Sequence, residues 1–223
     1  MNIAGLISSI FFLLTIAGYW HQLRKIWTVK QSATNQIAGG NSELKATQSI
    51  DLRFIFSAYI SIYSFFAYGL SLPQINPYLV IPRIIAIVII LAIIYEIWQE
   101  RKNKQSQYYL LTALSVLIAV VVVALISRST LTALVPLWRL ILCALSINLG
   151  WGFFHQSKLL TTSGTTGNLS LPMLGLSLAK DISGVVFGAT MGFQDGWPVA
   201  LMHLVSILGR VILIRQYRGF EIS

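Results

Sequence analysis

The chain has 223 residues, of which 56% are hydrophobic and only 10% charged, too little polar material to clothe a soluble globule of this size, so it belongs in a bilayer. Its net charge of +9 comes from cations grouped in short clusters between apolar spans, the pattern of the positive-inside rule, which argues against nucleic acid as a partner. The single cysteine, Cys143, lies inside an apolar span, so it can support no intramolecular disulfide framework and reads as a buried, inert thiol.

Residues 3–20 form the first apolar span, about long enough to cross roughly 30 Å of hydrocarbon at about 1.5 Å per residue. No basic residue precedes it and no small-residue cleavage site follows, so it reads as a retained span rather than a signal peptide. The polar stretch 21–53 carries Arg24, Lys25, Lys30, Lys45 and Arg53, which places it in the cytoplasm and the N-terminus outside or in a lumen. Spans at about 54–70 and 78–98 follow, joined by an uncharged, outward-facing loop. Glu100, Arg101, Lys102 and Lys104 bring the chain back to the cytoplasm, and span 108–126 has no ionisable group except tyrosine hydroxyls, so it can face lipid on every side. Spans at 131–154, 171–190 and 197–214 complete seven, and Arg215 and Arg218 anchor a cytoplasmic C-terminus.

These spans predict an all-α membrane protein of seven transmembrane helices. A first three-helix repeat covers residues 1–105, a linker helix covers 106–130, and a second three-helix repeat covers 131–223; the odd linker lets the two bundles lie parallel. The duplication shows in the sequence itself. Gly18-Tyr19-Trp20-His21-Gln22, followed by Arg24, returns as Gly152-Phe153-Phe154-His155-Gln156, followed by Lys158. The chain holds only three histidines, and two recur in this register 134 positions apart. Further on, Ala67-Tyr68-Gly69 answers Val186-Phe187-Gly188 at an offset of 119, which leaves 15 extra residues in the first cytoplasmic loop. That insertion, at about 33–47 and including Gly39, Gly40, Asn41 and Ser42, reads as a surface loop. Ser49-Ile50-Asp51 and Asn168-Leu169-Ser170 each precede a span and offer it N-cap residues.

With these motifs the sequence resembles the PQ-loop family, which includes the SWEET sugar transporters and the cystinosin-like amino-acid exporters. The family signature is Pro-Gln at the end of the first helix, a basic residue, Lys-Ser, Gly-x-Ser and an aromatic-Gly pair closing the next helix. Gln22, Arg24, Lys30, Ser32 and Tyr68-Gly69 match it in the first copy. Gln156, Lys158, Ser163-Gly164, Gly167 through Ser170 and Phe187-Gly188 match it in the second. His21 and His155 stand where the family has proline. The resemblance implies a hinge at that proline for alternating access; histidine keeps its N–H and cannot kink a helix that way, which leaves Gly18 and Gly152, with Gly150, as flexible candidates. Histidine instead brings a ring that titrates near neutrality, or simply bonds a carbonyl at the interface.

The sixth span carries the most chemistry. Gly184, Gly188, Gly192 and Gly196 recur every fourth residue, a small-residue stripe that lets another helix approach closely, and Ser177 and Asp181 continue that face. Asp181 falls about 16 Å into the membrane at 1.5 Å per residue. A carboxylate there costs several kcal/mol unless it is paired, protonated or wetted. The resemblance to the cystinosin-like branch implies a proton-coupling aspartate in this helix; the alternative is a structural ion pair with Arg139 or Arg83. Lys180 points about 100° away around the helix and is not expected as the partner. Arg210 is expected to snorkel to the cytoplasmic face. His203 either faces Asp181 or donates to a carbonyl.

No HExxH, CxxC, Walker loop, GxGxxG or nucleophile elbow is present, so neither an enzyme nor a metal or other cofactor is expected. The seventh span has no lysine in its apolar core for a retinal Schiff base. The expected function is a carrier that moves a small polar metabolite such as an amino acid or sugar by alternating access, with proton coupling, its partners being the solute, protons and the lipid bilayer. The alternative is a non-transporting receptor or sorting protein on the same fold, with the loop from Lys30 to Arg53 as its docking segment. The sequence leaves the oligomeric state open. In intact cells, a cysteine placed at Ser42 or Asn103 should be protected from an impermeant thiol reagent, and one at Asn76 should react. Labelling at Ser42 from outside would invert the topology.

Overall fold

The computed structural model describes residues 3–37, 46–47, 50, 52–163 and 171–222, and the regular elements among them are all α-helices. In order they are α1 (Ile3–Ile37), α2 (Leu52–Ser71), α3 (Pro77–Arg101), α4 (Lys104–Ile126), α5 (Arg128–Ala133), α6 (Val135–Ser163), α7 (Leu171–Thr190) and α8 (Phe193–Ile222). Five, namely α1, α3, α4, α6 and α8, contain stretches long and apolar enough to cross a membrane, and α2 is a shorter apolar helix.

Three helices outrun the apolar spans that predict them. The first apolar span ends just before His21, yet α1 continues to Ile37, because the segment after Gly18 contains neither glycine nor proline and keeps an apolar stripe, with Leu23 and Ile26 buried. Hydropathy marks where a helix meets water; backbone propensity decides where it stops. By the same reasoning α6 runs to Ser163, whereas α8 continues to Ile222 through Gly219. The span expected from residue 131 is split at Leu134 into α5 and α6. Pro136 sits in the first turn of α6, where its missing N–H would have had no partner. The insertion expected at about 33–47 opens inside α1, and its residues 38–45 lie outside the described residues, as do Asp51 and the Asn168-Leu169-Ser170 turn.

Connections follow capping rules. Asn76 caps α3 by accepting from the Tyr78 and Leu79 N–H groups at 3.1 and 3.3 Å, which satisfies donors that the first turn leaves orphaned. Lys102 closes α3 in the left-handed conformation, φ 44°, with its N–H on Trp98 O at 2.8 Å. Asn103 then caps α4 through Ser106 N at 2.8 Å. The Arg128 guanidinium donates to Leu70 O and Leu72 O, meeting carbonyls beyond the last helical bonds of α2.

The chain divides into two compact units, residues 16–133 and residues 1–15 with 134–223. In the first, α2 buries Leu52, Ile55, Tyr59, Ile62 and Phe66 at alternating three- and four-residue steps, and α3 answers with Leu79, Ala86, Ile90, Ile93 and Ile97. Tyr59 and Tyr63 carry hydroxyls into this apolar setting and donate them to Ala113 O and Val116 O of α4, at 2.6 and 2.8 Å. The opposite face of α4 exposes Leu111, Ile118, Val122 and Leu125, as lipid contact requires. Gly69 sets the approach of α2 to α3, since a Cβ there would stand 2.7 Å from Leu79 Cβ. In the second unit α8 packs on both α6 and α7, and Gly188 has the corresponding role, a Cβ there meeting Gly196 O at 2.9 Å and Ala200 N at 3.0 Å. The aromatic before each glycine, Tyr68 or Phe187, is fully buried.

Gly69→Val should therefore force α2 and α3 apart and cost about 1–3 kcal/mol, seen as an earlier thermal transition in detergent. Gly175→Ala, at a helical position with open space around the added methyl, should melt no earlier than the parent. Equal melting of the two variants would refute the close-approach role.

Candidate functional site

Asp181 is the eleventh of the twenty residues of α7, about 15 Å from either end at 1.5 Å per residue, and its exposure is 0%. Buried among hydrocarbon, an unpaired carboxylate would cost several kcal/mol. Three donors compensate it. Lys180 Nζ lies 2.8 Å from Oδ1, His203 Nδ1 lies 2.9 Å from the same oxygen, and the Arg210 guanidinium is paired with Oδ2.

Two of these partners correct the sequence expectation. Lys180 departs along the helix surface as expected, but its four-carbon stem is long enough to fold back to the neighbouring carboxylate. Arg210 turns inward to Asp181 instead of snorkelling outward, because a full opposite charge in a low-dielectric setting attracts it more strongly than a distant headgroup layer does. Arg139 and Arg83 have partners other than Asp181. Arg139 bonds Asp195 at 2.9 Å, near the start of α8. Arg83, within the other unit, donates to Tyr78 O at 2.7 Å and lies over the Phe65 ring at 5.3 Å.

The helix surfaces explain why the donors converge. His203, Ser206 and Arg210 sit at i, i+3 and i+7 on α8 and share a face, which meets the Ser177, Asp181 and Gly184 face of α7. The His203 ring rests directly on Gly184, where any Cβ would collide with it. Arg210 also donates to Ser206 Oγ, and its guanidinium lies over the Phe153 ring at 5.6 Å. That ring in turn occupies the space a side chain would need at Gly209. Phe153 is the first aromatic of the second Gly-aromatic-aromatic-His-Gln motif, so the motif supports the cluster through its aromatic residue. Sequence reasoning missed Phe153, Gly209 and the inward role of Arg210; the i, i+3, i+7 spacing on α8 was the available signal.

The remaining candidates lie elsewhere. His21 is exposed and Gln22 half-buried, both on α1 in the other unit; Gln156 is exposed, and the His155 side chain lies outside the described residues. Gly18 and Gly152 are exposed, with nothing near the place of a Cβ, and α1 and α6 pass through them as unbroken helix. Gly192 lies in the α7–α8 connection rather than on the packed face. Its φ is +83° with open space around it, so it serves the turn and not helix packing. Among the described residues no three of His, Cys, Asp and Glu gather as metal ligands do.

Asp181→Asn leaves Lys180 and Arg210 without their shared countercharge and should cost about 3–5 kcal/mol, read as early melting in detergent. Gly184→Ala, which displaces the His203 ring, should reproduce the melting behaviour of His203→Ala. A Gly184→Ala protein as stable as the parent would contradict the packing described.

No family model matches the sequence, and no curated protein matches it. Among solved structures, the 3.7 Å structure of a eukaryotic SWEET transporter aligns with 99% of this chain and 96% of its own, at a TM-score of 0.62 and 13% identity. The chain has the fold of that transporter and is an integral, multi-pass membrane protein.

Proposed function

We propose that the protein is a membrane carrier that moves a small polar solute by alternating access. The observation that carries this reading is the end-to-end correspondence of its fold with a SWEET transporter, together with a charged cluster at mid-helix depth that lipid contact alone would not call for. In this reading α1, α2, α3, α4, α6, α7 and α8 are the seven crossing helices, in the order three, one and three, and α5 is a short connector. The N-terminus lies outside and the C-terminus in the cytoplasm, as the cation clusters favour. The protein has no catalytic role. The PQ-loop resemblance of His21-Gln22 and His155-Gln156 belongs to the same proposal, with bending at Gly18 and Gly152 in place of the family proline.

Proton coupling, in this proposal, runs through Asp181 and His203. The imidazole contacts the carboxylate directly, and its ring belongs to the one side-chain type that ordinarily titrates near neutrality. Lys180 and Arg210 are the charged groups that face the pair.

Proteoliposomes holding the purified protein should take up at least one solute from a panel of amino acids, sugars and small organic acids. An imposed pH gradient should drive its accumulation. His203→Gln should keep solute exchange and lose the gradient-driven part. No flux of any solute under either condition would sink the carrier reading, and unchanged gradient-driven uptake in folded His203→Gln would remove His203 from the coupling.

A further inference from the structure

The cluster around Asp181 holds more positive than negative charge. Lys180 and Arg210 both bear on one carboxylate, and arginine does not lose its proton in a protein. Among the described side chains of this unit the other carboxylate is Asp195, fifteen residues from Arg210 along α8, or about 22 Å at 1.5 Å per residue. With neutral imidazole the local balance is one positive charge, placed where an uncompensated ion is costly.

The distribution of exposure adds a direction. The Asp181 side chain is 1% exposed, whereas Lys180 and Arg210 retain 15% and 16%. A solute reaching the cluster meets the cations first. Asp181 Oδ1 is held by Lys180 and His203, and Oδ2 is ion-paired with Arg210. The two cations are already spaced to share one carboxylate group, and the guanidinium offers paired donors suited to a second.

We propose that the solute is a small organic acid anion, whose carboxylate is captured by Arg210 and Lys180 in competition with Asp181. This rests on the carrier reading. The Phe153 ring beneath the guanidinium would hold Arg210 in place as the carboxylate is exchanged.

The test uses full-length protein in proteoliposomes, with radiolabelled lactate as the anion, glucose as the neutral solute and alanine as the zwitterion. Lactate should exchange. Arg210→Gln and Lys180→Gln should each lower lactate flux about tenfold or more, the weight of a charge-assisted hydrogen bond, and Arg210→Lys should restore part of it. Should the glutamine variants fail to fold, lactate and not glucose should raise the Tm of the parent protein in detergent. Exchange of glucose or alanine without lactate would overturn the anion assignment and leave the carrier standing. So would full lactate flux in a folded Arg210→Gln protein, or a Tm raised by glucose and not by lactate. Absence of flux for all three, with none of them shifting the Tm, would overturn this inference, and absence of flux across the whole solute panel would overturn the carrier reading with it.

Discussion

One carboxylate in the middle of α7 constrains the α7–α8 half of the molecule more than any other group. Asp181 is wholly buried, so its charge must be met by donors at hydrogen-bond distance rather than by water. Meeting it requires α8 to come close, and close approach requires residues without side chains. Gly188 against Gly196 and Ala200, and Gly184 beneath the His203 ring, supply them. The ion cluster and the glycine stripe are therefore one device: the glycines set the helix separation, and the separation brings Nδ1 of His203 to 2.9 Å from the carboxylate. Removing one charge from such a group is costly because the others stay behind, so pairing here constrains the structure more surely than it stabilises it.

The residues 16–133 unit solves the polar problem differently. Where α7 carries Asp181, α2 presents Ile62 at the equivalent register, and the interior is closed by tyrosine hydroxyls on α4 carbonyls. Arg83 is buried near the start of α3, and Glu96 and Glu100, the unit's carboxylates among the described side chains, lie near the far ends of α1 and α3. There Lys30 meets Glu96 at 2.5 Å, Trp27 donates to the same carboxylate at 2.8 Å, and Glu100 accepts from both the backbone N–H and the hydroxyl of Thr47. Both units nevertheless use an aromatic-glycine step near the end of their second helix, Tyr68-Gly69 and Phe187-Gly188, with the glycine against the following helix. The backbone device recurs, whereas the carboxylate-centred ion cluster at mid-helix stands on α7.

That asymmetry bears on function. A carrier needs a framework that repeats, to present similar rigid bodies, and a recognition group that need not. In the proposed carrier, the net positive balance at Lys180, Asp181 and Arg210 would give the α7–α8 half a sign. The Arg139–Asp195 pair near the start of α8 and the Gln216–Ser157 bond from α8 to α6 hold that helix at points well away from the cluster.

The membrane class and the helical spans were legible in the sequence, because apolar length and cation placement are local properties. The place of Asp181 midway along its helix was legible too, since the bounds of the apolar span around it are those of α7. Helix ends were not. The segments after His21 and after His155 lose hydropathy but keep helix-forming residues, and only the folded chain reveals which signal prevails. The partners of Asp181 were likewise decided by tertiary structure. Long side chains such as Lys180 and Arg210 can reach either outward to a headgroup or inward to a charge, and sequence spacing does not choose between them. The choice depends on the dielectric and the donors that α8 brings alongside α7, which exist only once the glycine-spaced faces of the two helices have met.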